Sequence, residues 1–157
     1  MHIEQLNEQH TIAMRIDTCL ATLTQDIAEP VQAFYAELAA NGVTPKDPLV
    51  FVYRDLDGDI HRPFSLEVAQ PIDEDTRAHY RGKHALGTLK PMSCVQRVHQ
   101  GTLADMGERT YAAMFADLAQ AGIATGRECR EVYTVFNGID AADNATHVQI
   151  EVSPNAG

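Results

Sequence analysis

A carboxylate and a phenol two residues apart, Glu131 and Tyr133 in REVYTVFNG (130–138), are the residues of this 157-residue sequence best placed to do chemistry. Extended backbone puts Glu131, Tyr133 and Val135 on one face, with Val132, Thr134 and Phe136 on the other. A carboxylate in so apolar a stretch either closes a strand in water or lines a cavity and faces something positive or reactive. Glu67 in SLEVAQP and His147 and Gln149 in THVQIEV are the polar residues that would share such a cavity, among Tyr53, Phe51 and Phe64. Rings at matched strand positions suit a cation or a flat ring. Glutamate, histidine and tyrosine together also suit general acid–base work. The plainer readings are a solvated Glu67, an ordinary hydrogen-bonded His147, and tyrosines that only pack.

Other chemistry has little to stand on. The seven histidines show no metal-ligand spacing, so no metal is expected. There is no nucleophile elbow, phosphate loop or dinucleotide fingerprint, so no cofactor is expected either. VHQGTL (98–103) reads as a turn into a helix with Thr102 as its cap. The formal net charge of −10 makes nucleic acid a poor partner. Three scattered cysteines, a polar N-terminus and no apolar run of about 18 residues point to a cytoplasmic protein without membrane association.

The elements that must position these residues repeat. AFYAELAANGV (33–43) matches AMFADLAQAGI (113–123), and the offset of 80 carries VFVYRDLDG (50–58) onto REVYTVFNG. Between residues 22 and 68 the two copies agree at Thr22, Leu23, Ala33, Ala36, Leu38, Ala39, Gly42, Val52, Tyr53, Gly58 and Val68. Unrelated sequences of ordinary composition would agree at about 3 positions. The chain reads as a duplication. Each copy opens with an apolar strand (TIAMRI, MSCVQRV), continues with a helix (about 22–41 and 102–121) and ends in two strands joined by a turn. Gly42 and Gly122 close the helices, and Pro30 predicts a break or a fresh first turn in the first. The predicted fold is α+β: two β-α-β-β units (8–72 and 92–154) joined by a connector (73–91) in one domain over 1–157. The units would form an antiparallel sheet with helices on one side and a groove on the pseudo-twofold. Where the copies differ, Phe51 answers to Glu131, Glu67 to His147 and Ala69 to Gln149.

The run VQRVHQGTLADMGERTYAAMFADLAQAGIATGRECREVYTVF…THVQIEVSP resembles the GyrI-like (gyrase-inhibitor-like) family of small-molecule-binding proteins. That family includes effector-binding domains of multidrug-sensing bacterial transcription activators. The matching pieces are a V-x-H-x-G turn, a helix, a G-I/L break, an E-x-Y strand and a closing strand; FSLEVAQPI (64–72) looks like the equivalent strand of the first half. The resemblance implies two β-α-β-β copies and a central groove where glutamates and tyrosines receive aromatic cations. Its E-x-Y carboxylate falls on Glu131 with Tyr133 beside it, and its first-half carboxylate is kept as Glu67. Two departures stand out: His147 replaces the last-strand carboxylate, and Glu151 stands where a proline is usual, with Pro154 three residues on. His147 would hydrogen-bond Glu131 or Glu67.

The leading reading is a free-standing module that captures lipophilic, cationic or aromatic small molecules at Glu131, Tyr133, Glu67, His147, Gln149, Tyr53, Phe51 and Phe64, as a sensor or a sequestering protein. No helix-turn-helix is read in the sequence, so direct DNA binding is not expected. The alternatives are a hydrolase of strained, cyclopropane-type electrophiles, using Glu131, Glu67, His147 and Tyr133, and a gyrase-inhibitor-like protein-interaction role.

Overall fold

A computed structural model describes residues 1–153; Pro154 lies outside the described residues. The chain runs β1 (Glu4–Leu6), β2 (Gln9–Thr18), α1 (Leu23–Ala40), β3 (Val50–Arg54), β4 (Phe64–Pro71), α2 (Glu74–His79), β5 (Ala85–Leu89), β6 (Met92–Gln100), α3 (Ala112–Ala121), β7 (Thr125–Val135) and β8 (Ala145–Val152). The fold is α+β with antiparallel strand pairing, and it divides into two compact units. One holds Glu8–Lys90; the other holds Met1–Asn7 and the chain from Pro91 onward.

In the unit Glu8–Lys90 the strands lie in the order β3-β4-β2-β5. Ile12 and Ile16 alternate along β2, opposite Gln70 and Leu66 of β4, and Phe51 of β3 faces Val68. Ile12, Ile16, Leu66, Val68 and Phe51 form one apolar face, in which Gln70 bonds through its side-chain nitrogen to the Asp47 carbonyl, while Phe34 and Leu38, four apart on α1, are fully buried. Pro30 does not break α1, which stays helical from Leu23 to Ala40. Asn41 caps the helix end, its side chain bonding to the Glu37 carbonyl, and Gly42 takes φ 75°. The stretch 73–91 carries α2 and β5. Asp73 caps α2 by accepting from the Thr76 N–H at 2.8 Å, and β5 pairs with β2.

In the other unit the order is β1-β6-β8-β7. Thr146, Val148, Ile150 and Val152 alternate on one face of β8 and are all buried. Val148, Ile150 and Val152 pack with Val95, Met106, Met114 and Leu118. The predicted helix 102–121 is a composite of a 3-10 turn (Leu103–Asp105), a π-helical stretch (Met106–Tyr111) and α3. Gly122 closes it at φ 70°. Thr102 occupies the N-cap position, but its side chain makes no capping bond.

Strand registers carry the 80-residue offset. Phe51 faces Val68 and Val52 faces Glu67; Glu131 faces Val148 and Val132 faces His147. At the opening strand the equivalence changes: Arg15 faces Glu67, whereas Val98 faces His147, an offset of 83. β5 and β1 also answer to each other, since Gly87 faces Thr11 and Glu4 faces Cys94, but in reversed chain order: β5 follows β2, whereas β1 precedes β6. Each unit therefore has four strands in matching order, one more than the repeat predicted.

The segment between α2 and β5 is tied to α1. Glu37 accepts from the Tyr80 hydroxyl at 2.7 Å and from the Lys83 N–H at 2.8 Å, and the Phe34 and His84 rings lie 4.9 Å apart. Gly82 leaves room for these contacts: a Cβ there would lie 1.9 Å from Glu37 Oε1 and 2.3 Å from the Tyr80 hydroxyl oxygen, so those side chains would have to shift. Gly82→Ala is expected to cost about 1–3 kcal/mol in urea unfolding. Burial holds the His84 imidazole below its ordinary 6.5; the Glu37 charge opposes this and Lys83 adds to it. A histidine kept neutral by folding stabilises above its unfolded pKa, and that contribution is lost as pH falls through 6.5 towards the folded value. His84→Gln should flatten the decline in melting temperature below pH 6.5, read by thermal unfolding across a buffer series.

Candidate ligand-binding site

The β7–β8 register decides which residues can meet. Directly opposed residues of an antiparallel pair project to the same face. Glu131 is opposite Val148, Tyr133 opposite Thr146 and Cys129 opposite Ile150. All three therefore lie on the face that packs against Met114 and Leu118 of α3. Glu131 keeps only 7% of its surface exposed there.

Two phenols satisfy the carboxylate. Tyr133 donates to Oε1 at 2.5 Å, and Tyr111, the last residue of the π-helical stretch, donates to Oε2 at 2.7 Å. Each phenol carries a ring neighbour. Tyr111 stacks on Phe115 of α3 at 6.2 Å and 19°, and Tyr133 meets Phe136 edge-on at 6.1 Å. Phe115 and Phe136 are 42% and 51% exposed, so each phenol that holds the carboxylate touches an open aromatic ring. Burial, with added repulsion from Glu131, Glu128 and Glu151, pushes the Cys129 thiol up to about 12. Cys129 is thus an inert wall beside the site rather than a nucleophile.

His147 and Gln149 separate from this group. His147 is opposite Val132 and Val98, and Gln149 is opposite Arg130 and Gln96, on the reverse face of the sheet. A hydrogen bond from His147 to Glu131 is ruled out by this one-residue parity. Gln149 instead donates to Gln96 at 2.7 Å. In the unit Glu8–Lys90, Glu67 shares a face with Val52 and Arg15, opposite to that of Leu66 and Val68. It is engaged by Arg54 at 3.0 Å and Arg15 at 3.5 Å, which makes it an ion-paired strand residue. Phe51 and Tyr53 are buried at the positions equivalent to Glu131 and Tyr133, and the Tyr53 ring packs 5.8 Å from Phe64.

Tyr111 is the site residue that the sequence pattern misses. Nothing in its spacing marks it, because a π-helical turn shifts side-chain phase from the 3.6-residue period. Glu151 has a structural explanation. β7 bulges between Thr125 and Cys129, and Glu151 fills the bulge by accepting from the N–H groups of Arg127 (2.7 Å) and Glu128 (3.1 Å). A proline could not do this. Gly126 makes room for that carboxylate, since a Cβ would lie 2.1 Å from its Oε1. Among the described residues no group of three His, Cys, Asp or Glu could hold a metal ion, and no helix is long and apolar enough to cross a membrane.

No family model and no curated protein matches the sequence. Solved structures share the fold. The C-terminal domain of EcmrR superposes with a TM-score of 0.71 at 18% identity, covering 97% of this chain and 96% of that one. EcmrR in its complex with DNA gives 0.74 at 15% identity; the chain spans 56% of it. SAV2435 bound to tetraphenylphosphonium gives 0.65 at 17% identity, covering 98% and 93%. A hydrolase from Listeria innocua gives 0.60 at 15% identity, covering 96% and 91%. These likenesses establish the fold, an α+β architecture with antiparallel strand pairing.

Glu151→Ala would remove both bulge hydrogen bonds and is expected to cost about 0.5–1.5 kcal/mol. Gly126→Ala should cost a similar amount by displacing the same carboxylate, both read by chemical unfolding.

Proposed function

We propose that the chain is a GyrI-like small-molecule-binding module that receives lipophilic cations at Glu131, as a sensor or a sequestering protein. The observation that carries this reading is the buried Glu131 carboxylate held between the Tyr111 and Tyr133 hydroxyls, with Phe115 and Phe136 packed on those rings. A flat or bulky cation entering there exchanges water for aromatic faces and meets a negative charge in a poorly solvated place. An isosteric neutral molecule gains the apolar part alone. The shared fold with SAV2435, whose structure contains tetraphenylphosphonium, supports the choice of ligand class. The repeated registers support reading the two units as a duplication in which one copy took on the binding chemistry and the other kept Phe51 in its place.

A second reading rests on the same atoms. A carboxylate hydrogen-bonded to two phenols is also a base with acids beside it, the set needed to activate water and protonate a leaving group. The likeness to the Listeria hydrolase keeps this reading open.

Both are tested by one titration. Tetraphenylphosphonium at about 100 times its dissociation constant should stabilise the protein by about 2.7 kcal/mol, a shift of several degrees. Triphenylphosphine oxide, a neutral comparator, should give a smaller shift, and Glu131→Gln should weaken the cation by about tenfold or more, worth about 1.4 kcal/mol. Equal shifts for cation and neutral compound, unchanged in Glu131→Gln, would refute cation recognition at this residue. For cyclopropane-bearing electrophiles, a mass gain of one water after incubation would establish the hydrolase.

A further inference from the structure

We infer that His99 and Thr110 are positioning residues for this site: together they pin the π-helical turn that aims Tyr111 at Glu131. The inference rests on the binding reading above for its functional meaning, and on geometry for its mechanism.

His99 is 1% exposed and both ring nitrogens are engaged. Nε2 lies 2.8 Å from the Thr102 carbonyl oxygen, which can only accept, so Nε2 carries the proton. Nδ1 is then the acceptor for the Thr110 hydroxyl, 2.7 Å away. The ring thus bridges the residue that opens the helical segment and a buried residue of its π-helical stretch. Thr110 is followed directly by Tyr111, and the Tyr111 hydroxyl reaches Glu131. A π-helical stretch spaces its hydrogen bonds one residue wider than an α-helix and is a weaker arrangement on its own. The buried bond from Thr110 to His99 is the kind of tertiary contact that holds it.

The other unit supplies an internal comparison. At the 80-residue offset Thr110 answers to Pro30 and Tyr111 to Val31, within an α1 that carries no π-helical stretch. Under the β2 and β6 registers His99 answers to Ile16, and Glu131 answers to Phe51. Histidine, threonine hydroxyl, π-helical stretch, phenol and carboxylate occur together in one unit and are all missing from the equivalent places of the other. Packing alone does not require them, because the second unit folds to the same strand plan without them.

The test uses the whole chain labelled with 13C at the tyrosine Cζ, with Tyr111→Phe to assign the Tyr111 signal. Thr110→Val removes the hydroxyl at nearly constant shape, and Thr110→Ser restores it. Thr110→Val should move the Tyr111 signal to the position it takes in Glu131→Gln, and Thr110→Ser should leave it near wild type. In the same proteins, Thr110→Val should weaken tetraphenylphosphonium by about tenfold while changing triphenylphosphine oxide by less than about twofold. A Tyr111 signal that stays at its wild-type position in folded Thr110→Val overturns the inference, whatever happens to binding. A displaced Tyr111 signal in a protein whose wild type binds no cation leaves the positioning intact and refutes the function. Should Thr110→Val not fold, His99→Gln is read in its place, and an unmoved Tyr111 signal there is equally decisive against the proposal.

Discussion

Placing Glu131 opposite Val148 commits a carboxylate to the apolar face of its sheet, and much of that unit is arranged around the consequence. A charged group removed from water destabilises the fold unless its oxygens are taken up by donors. Here Tyr133 comes from the same strand, two residues on, and Tyr111 comes from the helical segment above it. The composite 3-10 and π-helical start of that segment, the fully bonded His99 and the bulge that precedes Cys129 are local departures from regular structure within reach of one side chain. Regular elements build the support; the irregular ones set the aim.

The two units show what the fold requires and what it leaves open. Their hairpins share a register at three successive pairs, and both bury a Val on the second strand of the hairpin, Val68 of β4 and Val148 of β8. The difference at one equivalent pair, Phe51 against Glu131, exchanges a ring for a charge. An apolar ring on the packed face needs only neighbours of the right size. A carboxylate in the same place needs directional donors: Tyr133 keeps the phenol that Tyr53 also carries, and Tyr111 stands where the other unit has Val31.

Most of the skeleton was legible in the sequence. The apolar opening stretches, the glycines that end the helices and the turn expected between the last two strands of each copy locate the strands, helices and hairpins, and the offset of 80 holds at three successive strand pairs of each hairpin. The site was legible only in part. Glu131 and Tyr133 follow from alternation along one strand, and both fall on a common face. Grouping His147 and Gln149 with them fails because face parity depends on register between strands, which a sequence does not state, and a shift of one residue reverses it. Glu67 is ion-paired to Arg54 and Arg15 of neighbouring strands, partners that its own strand pattern does not mark. Pro30 also runs against expectation, since α1 accommodates it without interruption. The fourth strand of each unit escaped notice because β1 is three residues long and β5 lies in what reads as a connector.

The matched registers bear on how such a chain can change over generations. In the unit Glu8–Lys90 the residues equivalent to the site answer to volume and hydrophobicity, a permissive filter that accepts many exchanges among Ile, Val, Leu, Phe and Tyr. In the other unit His99, Thr110, Tyr111 and Glu131 answer to donors and acceptors as a set, and changing one member devalues the rest. Drift should therefore be fast and independent in one half, slow and concerted in the other. Innovation has an opening in the permissive half, where the scaffold already presents the corresponding strand positions without depending on what they carry.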